Sequence, residues 1–448
     1  MGITTPLFFI FLCISISLYF ILPKNKKNIS LLFSSLVFLV TYDINLVLLL
    51  LPYTLINYVF IKIKKNKNLL LVSVSFNLAF LIFYKYSLFL LTNLNKLDPS
   101  ILIPNYFNNL VLPLGISFFT FKTISLLVDS YKNAPKKISY LEFLNYILFF
   151  PQFLSGPIER YESFNQSLKK PVLFSSPFFF QGSQRILFGL FKKLVIANNI
   201  SLIISPIFNS PSDYHGLTLL FSAYLFSFQI FFDFSGYSDI AIGIAKILGF
   251  NTPENFDNPY LATNVKQFWQ KWHISLSSWF RDYLYIPLGG NRKGSGRQYF
   301  NILIVFLATG LWHGSSWNFI IWGLLHGLLV ISSTIFAKTK IAIPKVISIF
   351  LTFNFVTFSW IFFHANGFKQ SLVYIKNMVD FTSYANLVIF SPLQIPTLSA
   401  LIIYFLFFKF EIKKTAKPVI LGFFYGLVLA GTLLFASTQT QDFLYFKF

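Results

Sequence analysis

Apolar runs of about 20 residues, the length that crosses a hydrocarbon core roughly 30 Å thick, recur along the whole chain. They fall near residues 3–22, 28–42, 44–61, 69–92, 107–128, 194–210, 217–248, 298–313, 316–337, 346–365, 393–410 and 417–437. Several are short or interrupted by glycine. The pattern predicts an all-α polytopic membrane protein, a bundle of about 10–13 transmembrane, re-entrant and interfacial helices. It reads as one membrane domain over 1–448, with N-terminal spans in 1–92, a core in 107–330, and C-terminal spans with an aromatic tail in 340–448.

The texture of these runs is uneven. Residues 1–92 and 393–437 are plain Leu/Ile/Phe spans, whereas 112–327 carry Asp, His, Gly, Pro and Trp within or beside apolar stretches. Ionisable groups at membrane depth are costly and mark function, so a site is expected in this middle region. Composition supports the membrane reading: 55% of the 448 residues are hydrophobic and only 11% are charged, outside the soluble globular range.

The net charge of +21 is distributed rather than clustered. Lys24, Lys26 and Lys27 follow the first span, and Lys62, Lys64, Lys65 and Lys67 follow the third. Further groups are Lys132, Lys136 and Lys137; Lys169 and Lys170; Arg292 to Arg297; Lys338, Lys340 and Lys345; and Lys413, Lys414 and Lys417. Alternating the spans puts all of them on one face, cytoplasmic by the positive-inside rule, with both termini outside. The charge is thus a topology signal with some attraction for anionic lipid, and it argues against nucleic-acid binding. The N-terminus "MGITTPLFFIFLCISISLYF" lacks a basic leader region and reads as a retained span. Cys13 is the single cysteine, which excludes an internal disulfide, and no metal is expected.

Two stretches concentrate polar groups. In "NVKQFWQKWHISLSSWFRDYLYIPLGG" (264–290), Val265, Phe268, Trp269, Trp272, Leu276, Trp279 and Phe280 fall on one helical face, and Lys266, Lys271, Arg281 and Asp282 on the other. Such a helix lies in the headgroup plane, with His273 at the edge of its apolar face. Upstream, "FFDFSGYSDIAIGIAKILGF" sets Asp233, Tyr237 and Asp239 among small residues that permit close helix packing. The two aspartates serve equally to hold helices together or to line a tunnel. Glu159 and Arg160 suit a re-entrant segment with an internal ion pair.

These residues, with "LWHGSSWNFIIWGLLHG" and the earlier "LPLGISFFTFKTISLLVDSYK" and "FFPQFLSGPIERY", resemble the membrane-bound O-acyltransferase (MBOAT) family. The likeness is to the bacterial branch of alginate and peptidoglycan O-acetyltransferase membrane subunits, and it runs over roughly residues 112–327. The chain departs from that branch at His364, in "FFHA" where an arginine is usual.

The resemblance implies an MBOAT-type bundle with a central tunnel and an O-acetyltransferase. His313 takes the essential histidine position and His273 the second polar position, with Trp272 and Trp312 beside them. Acetyl-CoA is the implied cytoplasmic donor, with no permanently bound cofactor. An extracytoplasmic partner acetyltransferase is implied as recipient, modifying a cell-envelope polysaccharide, with peptidoglycan ahead of an alginate-like polymer. The implied location is the bacterial inner membrane.

The chemistry is consistent with this, since moving acetyl from a thioester to a hydroxyl needs a base near neutral pKa and histidine suits. On spacing alone, an imidazole in an apolar run serves equally as a packing residue. Arg292, Lys293 and Arg297 in "LGGNRKGSGR" could bind the phosphates of coenzyme A, or form an ordinary basic turn. The tail "QDFLYFKF" resembles the branch's aromatic C-terminal motif, which implies that Tyr445 carries the acyl group; an interfacial aromatic anchor is the other reading. A transporter or flippase, or a same-family enzyme acting directly on lipid or protein, are the alternatives.

Overall fold

The computed structural model describes residues 2–63, 66–132, 137–339, 341–380, 418–437 and 443–444. No strand occurs among them. Among the described residues six helical runs are long and apolar enough to cross a membrane: Ile44–Lys62, Lys67–Leu97, Ser176–Asn209, Gly216–Ile247, Trp317–Phe336 and Lys345–His364. The expected all-α membrane class is what the chain adopts. The expected span at 393–410 lies outside the described residues. Contacts group the chain into two compact units, residues 1–183 with 241–254 and residues 184–240 with 255–448.

The first unit contains α1 (Pro6–Ile21), α2 (Lys27–Val40), α3 (Ile44–Lys62), α4 (Lys67–Leu97), α5 (Asn105–Asn108), α6 (Ile116–Lys132), α7 (Tyr140–Leu148), α8 (Tyr161–Lys169) and the start of α9 (Ser176–Leu190). Side-chain caps set several boundaries. Thr5, Asp43 and Asn66 accept N–H groups of the first turns of α1, α3 and α4, and Ser139 with Glu142 forms a capping box on α7. The span expected at 107–128 starts later, at Ile116, because Pro113 and the left-handed Gly115 (φ +73°) interrupt the run. Polar side chains join the helices in apolar surroundings: Asn77 of α4 donates to Asn57 of α3 at 2.7 Å and accepts from Tyr53. Interhelical amide bonds of this kind hold membrane helices together without a hydrophobic drive. Glu159 accepts from Gln152 Nε2 at 2.7 Å, and Gln152 Oε1 accepts from Lys122 at 3.3 Å.

The second unit continues through a π-helical turn (Phe191–Ala197), α10 (Asn198–Asn209) and α11 (Gly216–Ile247) to the short helices α12 (Val265–Lys271) and α13 (Ile274–Phe280). It ends with α14 (Gly294–His313), α15 (Trp317–Phe336), α16 (Lys345–His364), α17 (Phe368–Met378) and α18 (Pro418–Phe435). The helical run through α10 begins at Ser176, well before the expected 194, since polar residues such as Gln184 and Arg185 conceal it from hydropathy.

Arg185 Nε and Lys192 Nζ both reach Asp239 of α11, at 3.0 and 2.7 Å, and Lys193 Nζ reaches Asp233 at 2.5 Å. The wider π turn presents consecutive lysines to two carboxylates of α11. Both aspartates therefore hold helices together. Between these pairs, a Cβ on Gly189 would stand 2.6 Å from the Gly236 carbonyl oxygen, so the backbones touch.

The tightest packing joins α14 to α15. A Cβ on Gly323 would lie 2.4 Å from the Phe306 carbonyl oxygen, and one on Gly310 would lie 2.2 Å from that of Phe319. No side chain fits without separating the helices. Gly323→Val is expected to cost at least about 1–3 kcal/mol, the scale of overpacking a dense interface, and to lower the melting temperature in detergent. Gly426→Ala, where a Cβ would meet nothing within 4 Å, is expected to leave it unchanged.

Candidate active site

His313 is the last residue of α14, and Gly314 ends the helix in extended backbone. Phe319 of α15 fills the space where a Gly314 side chain would be: a Cβ there would lie 2.1 Å from a carbon of the phenyl ring. The α14–α15 contact therefore fixes where the imidazole sits. His313 is 2% exposed, with ring centroids 4.9 Å from Trp312, 5.0 Å from Trp322 and 5.1 Å from Phe363.

His273 arrives differently. The continuous amphipathic helix expected over 264–290 is broken: α12 ends at Lys271, and His273 adopts left-handed backbone (φ +42°) as the cap of α13. The break is held by an antiparallel bridge between Phe256 and Trp272, and by Asn255 O accepting from Ile274 N at 3.0 Å. The expected faces survive the break. Val265, Phe268, Trp269, Trp272, Leu276, Trp279 and Phe280 are all buried, while Lys266 and Arg281 are exposed and Lys271 and Asp282 half-buried.

The left-handed turn moves His273 from the helix edge into the interior, where it is fully buried against Phe234 at 4.6 Å and Trp312 at 5.8 Å. The two histidines thus contact one indole, that of Trp312. Asn255 Oδ1 accepts from Ser275 N and Oγ, at 3.3 and 2.7 Å, and lies 3.3 Å from His273 Nδ1. With that oxygen as acceptor, Nδ1 carries the proton and Nε2 is the basic nitrogen. Burial pushes the His273 pKa down to about 3, so the ring is neutral at physiological pH. Asn255 was not singled out from the sequence, because a turn asparagine in "NTPENFDNPY" reads only as loop chemistry.

His326 has both nitrogens occupied. Trp269 Nε1 donates to Nδ1 at 3.2 Å, and Nε2 donates at 2.8 Å to Ser359 Oγ, whose own hydroxyl donates to the Val356 carbonyl. It is a packing post of α15. His364 lies between Phe208 and Phe226, each 4.3 Å away.

Trp272, Trp322 and Trp360 pack together, with centroids 5.2 and 5.6 Å apart. Their Nε1–H donors are buried without hydrogen-bond partners among the described residues. An unmet buried donor costs about 1–3 kcal/mol, which an acceptor on a bound molecule would recover.

Arg292 and Lys293 are exposed on a turn with left-handed Gly289, Gly290 and Gly294, pinned by Asn301 Nδ2 to the Gly290 carbonyl at 2.9 Å, and Arg297 is exposed in the first turn of α14. Arg297 and His313 stand on the same helix, roughly 24 Å apart along its axis at about 1.5 Å per residue. The structure does not bring this basic turn together with the histidines. Tyr445 lies outside the described residues.

Residues 29–373 match the family model of the membrane-bound O-acyltransferases. The chain belongs to the MBOAT family. It is 35% identical over 427 residues to a peptidoglycan O-acetyltransferase of Helicobacter pylori, covering 84% of this chain and 79% of that protein. It is 33% identical over 430 residues to a probable alginate O-acetylase of Pseudomonas putida, covering 92% and 87%. A teichoic acid D-alanyltransferase of Streptococcus thermophilus is 31% identical over 313 residues, covering 63% and 74%. This MBOAT protein is therefore a multi-pass membrane acyltransferase, and the transporter reading falls away.

Because His273 is held neutral well below its unfolded pKa of about 6.5, the unfolded chain takes up its proton first as pH falls. The contribution to stability is full above about pH 6.5 and is lost towards pH 3. His273→Gln removes that difference. The variant's melting temperature is expected to fall less steeply than the parent's between about pH 6.5 and about pH 5; parallel profiles would contradict it.

Proposed function

We propose that this MBOAT protein transfers acetyl from cytoplasmic acetyl-CoA, across the inner membrane, to an extracytoplasmic partner acetyltransferase that O-acetylates a cell-envelope polysaccharide. The observation that carries the reading is the pair of buried imidazoles, His313 and His273, both packed against Trp312. Both stand in the motifs whose family resemblance implies acyl transfer. Peptidoglycan stands ahead of an alginate-like polymer as the substrate, with the relatives' names supporting either. In this reading both termini face outward, which the placement of the basic loops supports.

In this reading a neutral imidazole of His313 takes the proton of an attacking hydroxyl as its oxygen bonds to the thioester carbonyl carbon. The carbonyl oxygen gains negative charge, which the buried indole N–H donors can stabilise as preorganised dipoles. Collapse expels the coenzyme A thiolate, which takes the proton back from the imidazolium. His273, oriented by Asn255, is the second polar group of the site. Arg292, Lys293 and Arg297 act as an entry patch for the donor's phosphates rather than as neighbours of the reacting carbon. The attacking hydroxyl is that of Tyr445, whose aryl ester passes acetyl onward to the partner more readily than an alkyl ester would.

His313→Ala is expected to lower incorporation of labelled acetyl from acetyl-CoA into the polymer by roughly 10²- to 10⁴-fold, the worth of a positioned base, with normal membrane insertion. Near-parental incorporation would overturn the assignment. Tyr445→Phe keeps the aromatic packing and removes only the hydroxyl. It is expected to abolish polymer acetylation while acetyl-CoA binding persists, and substantial acetylation would leave direct transfer to the partner as the mechanism.

A further inference from the structure

The two carboxylates of α11 are neutralised in unlike ways. Asp239 gives one oxygen to Arg185 and the other to Lys192, so cations from α9 and the π turn occupy both. Among the described residues Asp233 gives only Oδ1 to a cation, Lys193, and the side chains of this pair are 3% and 2% exposed. Its Oδ2 accepts the backbone N–H of Leu444 at 2.9 Å, from 211 residues away in the chain.

The same ammonium lies 4.2 Å from the ring centroid of Phe443, and that ring packs edge-on against Tyr237, one helical turn beyond Asp233, at 5.1 Å. Phe443 and Leu444 are both buried. The chain leaving α18 is tied to the same π turn and to the start of α10: Ser437 N donates to Leu194 O at 3.1 Å, and Asn199 Nδ2 donates to the Phe435 carbonyl at 3.0 Å.

We infer that the Lys193–Asp233 pair is a seat for the protein's own C-terminal segment, in which Asp233 and Lys193 are positioning residues that hold Phe443 and Leu444 in the core of this unit. If the pair only stapled helices, a second cation or a local donor would complete Asp233, as happens at Asp239. Instead a buried carboxylate oxygen, costly to leave unmet, is completed by the tail's main chain through a charge-assisted bond. The ammonium selects an aromatic residue just before that N–H by the attraction of a cation for a ring face. The seat thereby fixes the chain at Leu444, the residue before Tyr445. Its value to acetyl transfer rests on the reading proposed above.

Hydrogen–deuterium exchange of the full-length protein, read by mass spectrometry on the peptide after Ser437, tests the seat without reference to Tyr445. Two double variants remove both charges. Asp233→Asn with Lys193→Gln keeps a side-chain carbonyl to accept from Leu444, and Asp233→Leu with Lys193→Met does not. Exchange in the tail is expected to quicken at least about tenfold in the Leu/Met variant, the scale of one lost charge-assisted bond, and much less in the Asn/Gln variant, while α10 and α11 keep their protection. Equal tail exchange in both doubles overturns the seat.

Leu444→Pro removes the same N–H from the tail side and decides the matter if a core variant fails to fold; unchanged tail protection there also overturns it. Polymer acetylation is expected to fall at least about tenfold wherever the tail is released. A released tail with undiminished acetylation would overturn the positioning role. The separate Tyr445→Phe result tells a failed seat from a failed carrier.

Discussion

A carboxylate buried among apolar helices has to be neutralised within hydrogen-bonding distance, because desolvation otherwise costs more than packing returns. In the second unit that constraint settles where α11 lies. Asp239 is clamped by Arg185 and Lys192, and Asp233 by Lys193, with the backbones touching at Gly189 and Gly236. The neighbouring residues of α11 then become supports. Phe234 backs the His273 ring, Ser238 accepts from Asn255 Nδ2 at 3.2 Å, and Tyr237 backs Phe443. One helix, held by charge on one side, thus carries the scaffold of a histidine on another.

Three buried histidines of this unit show how partners, not residue type, set chemistry. His326 spends both nitrogens on Trp269 and Ser359 and acts as a post. His273 is oriented through Nδ1 by Asn255, which leaves Nε2 as the basic nitrogen. His313 sits among Trp312, Trp322 and Phe363 at a helix end, where the chain turns sharply into extended backbone. The position of His313 rests on backbone contact between α14 and α15, which tolerates no side chain at Gly310 or Gly323.

Much of this was legible in the linear pattern, and the misreadings are instructive. The faces of 264–290 follow from a 100° period, and each of the seven apolar residues is buried as that period requires. The left-handed break at His273 does not follow, since positive φ is rare at any non-glycine residue, histidine included, and "QKWHIS" carries no turn signal beside it. The helical run from Ser176 was shortened by hydropathy because Arg185 and Lys192 count as polar until their partner on α11 is known. Arg292, Lys293 and Arg297 lie close to His313 in number but at the other end of α14.

Periodicity, span length and the ordered motifs were enough to establish an all-helical membrane acyltransferase and to single out His313 and His273, because burial patterns and family motifs are written along one dimension. Tertiary structure alone decided which histidine is a post, that Asn255 orients another, that Asp233 and Asp239 staple helices, and that Leu444 bonds to a buried carboxylate. Those outcomes depend on pairings between residues tens to hundreds of positions apart, such as Leu444 with Asp233. A hydrogen bond or ion pair is a property of two atoms brought together, which no single position in the chain can express.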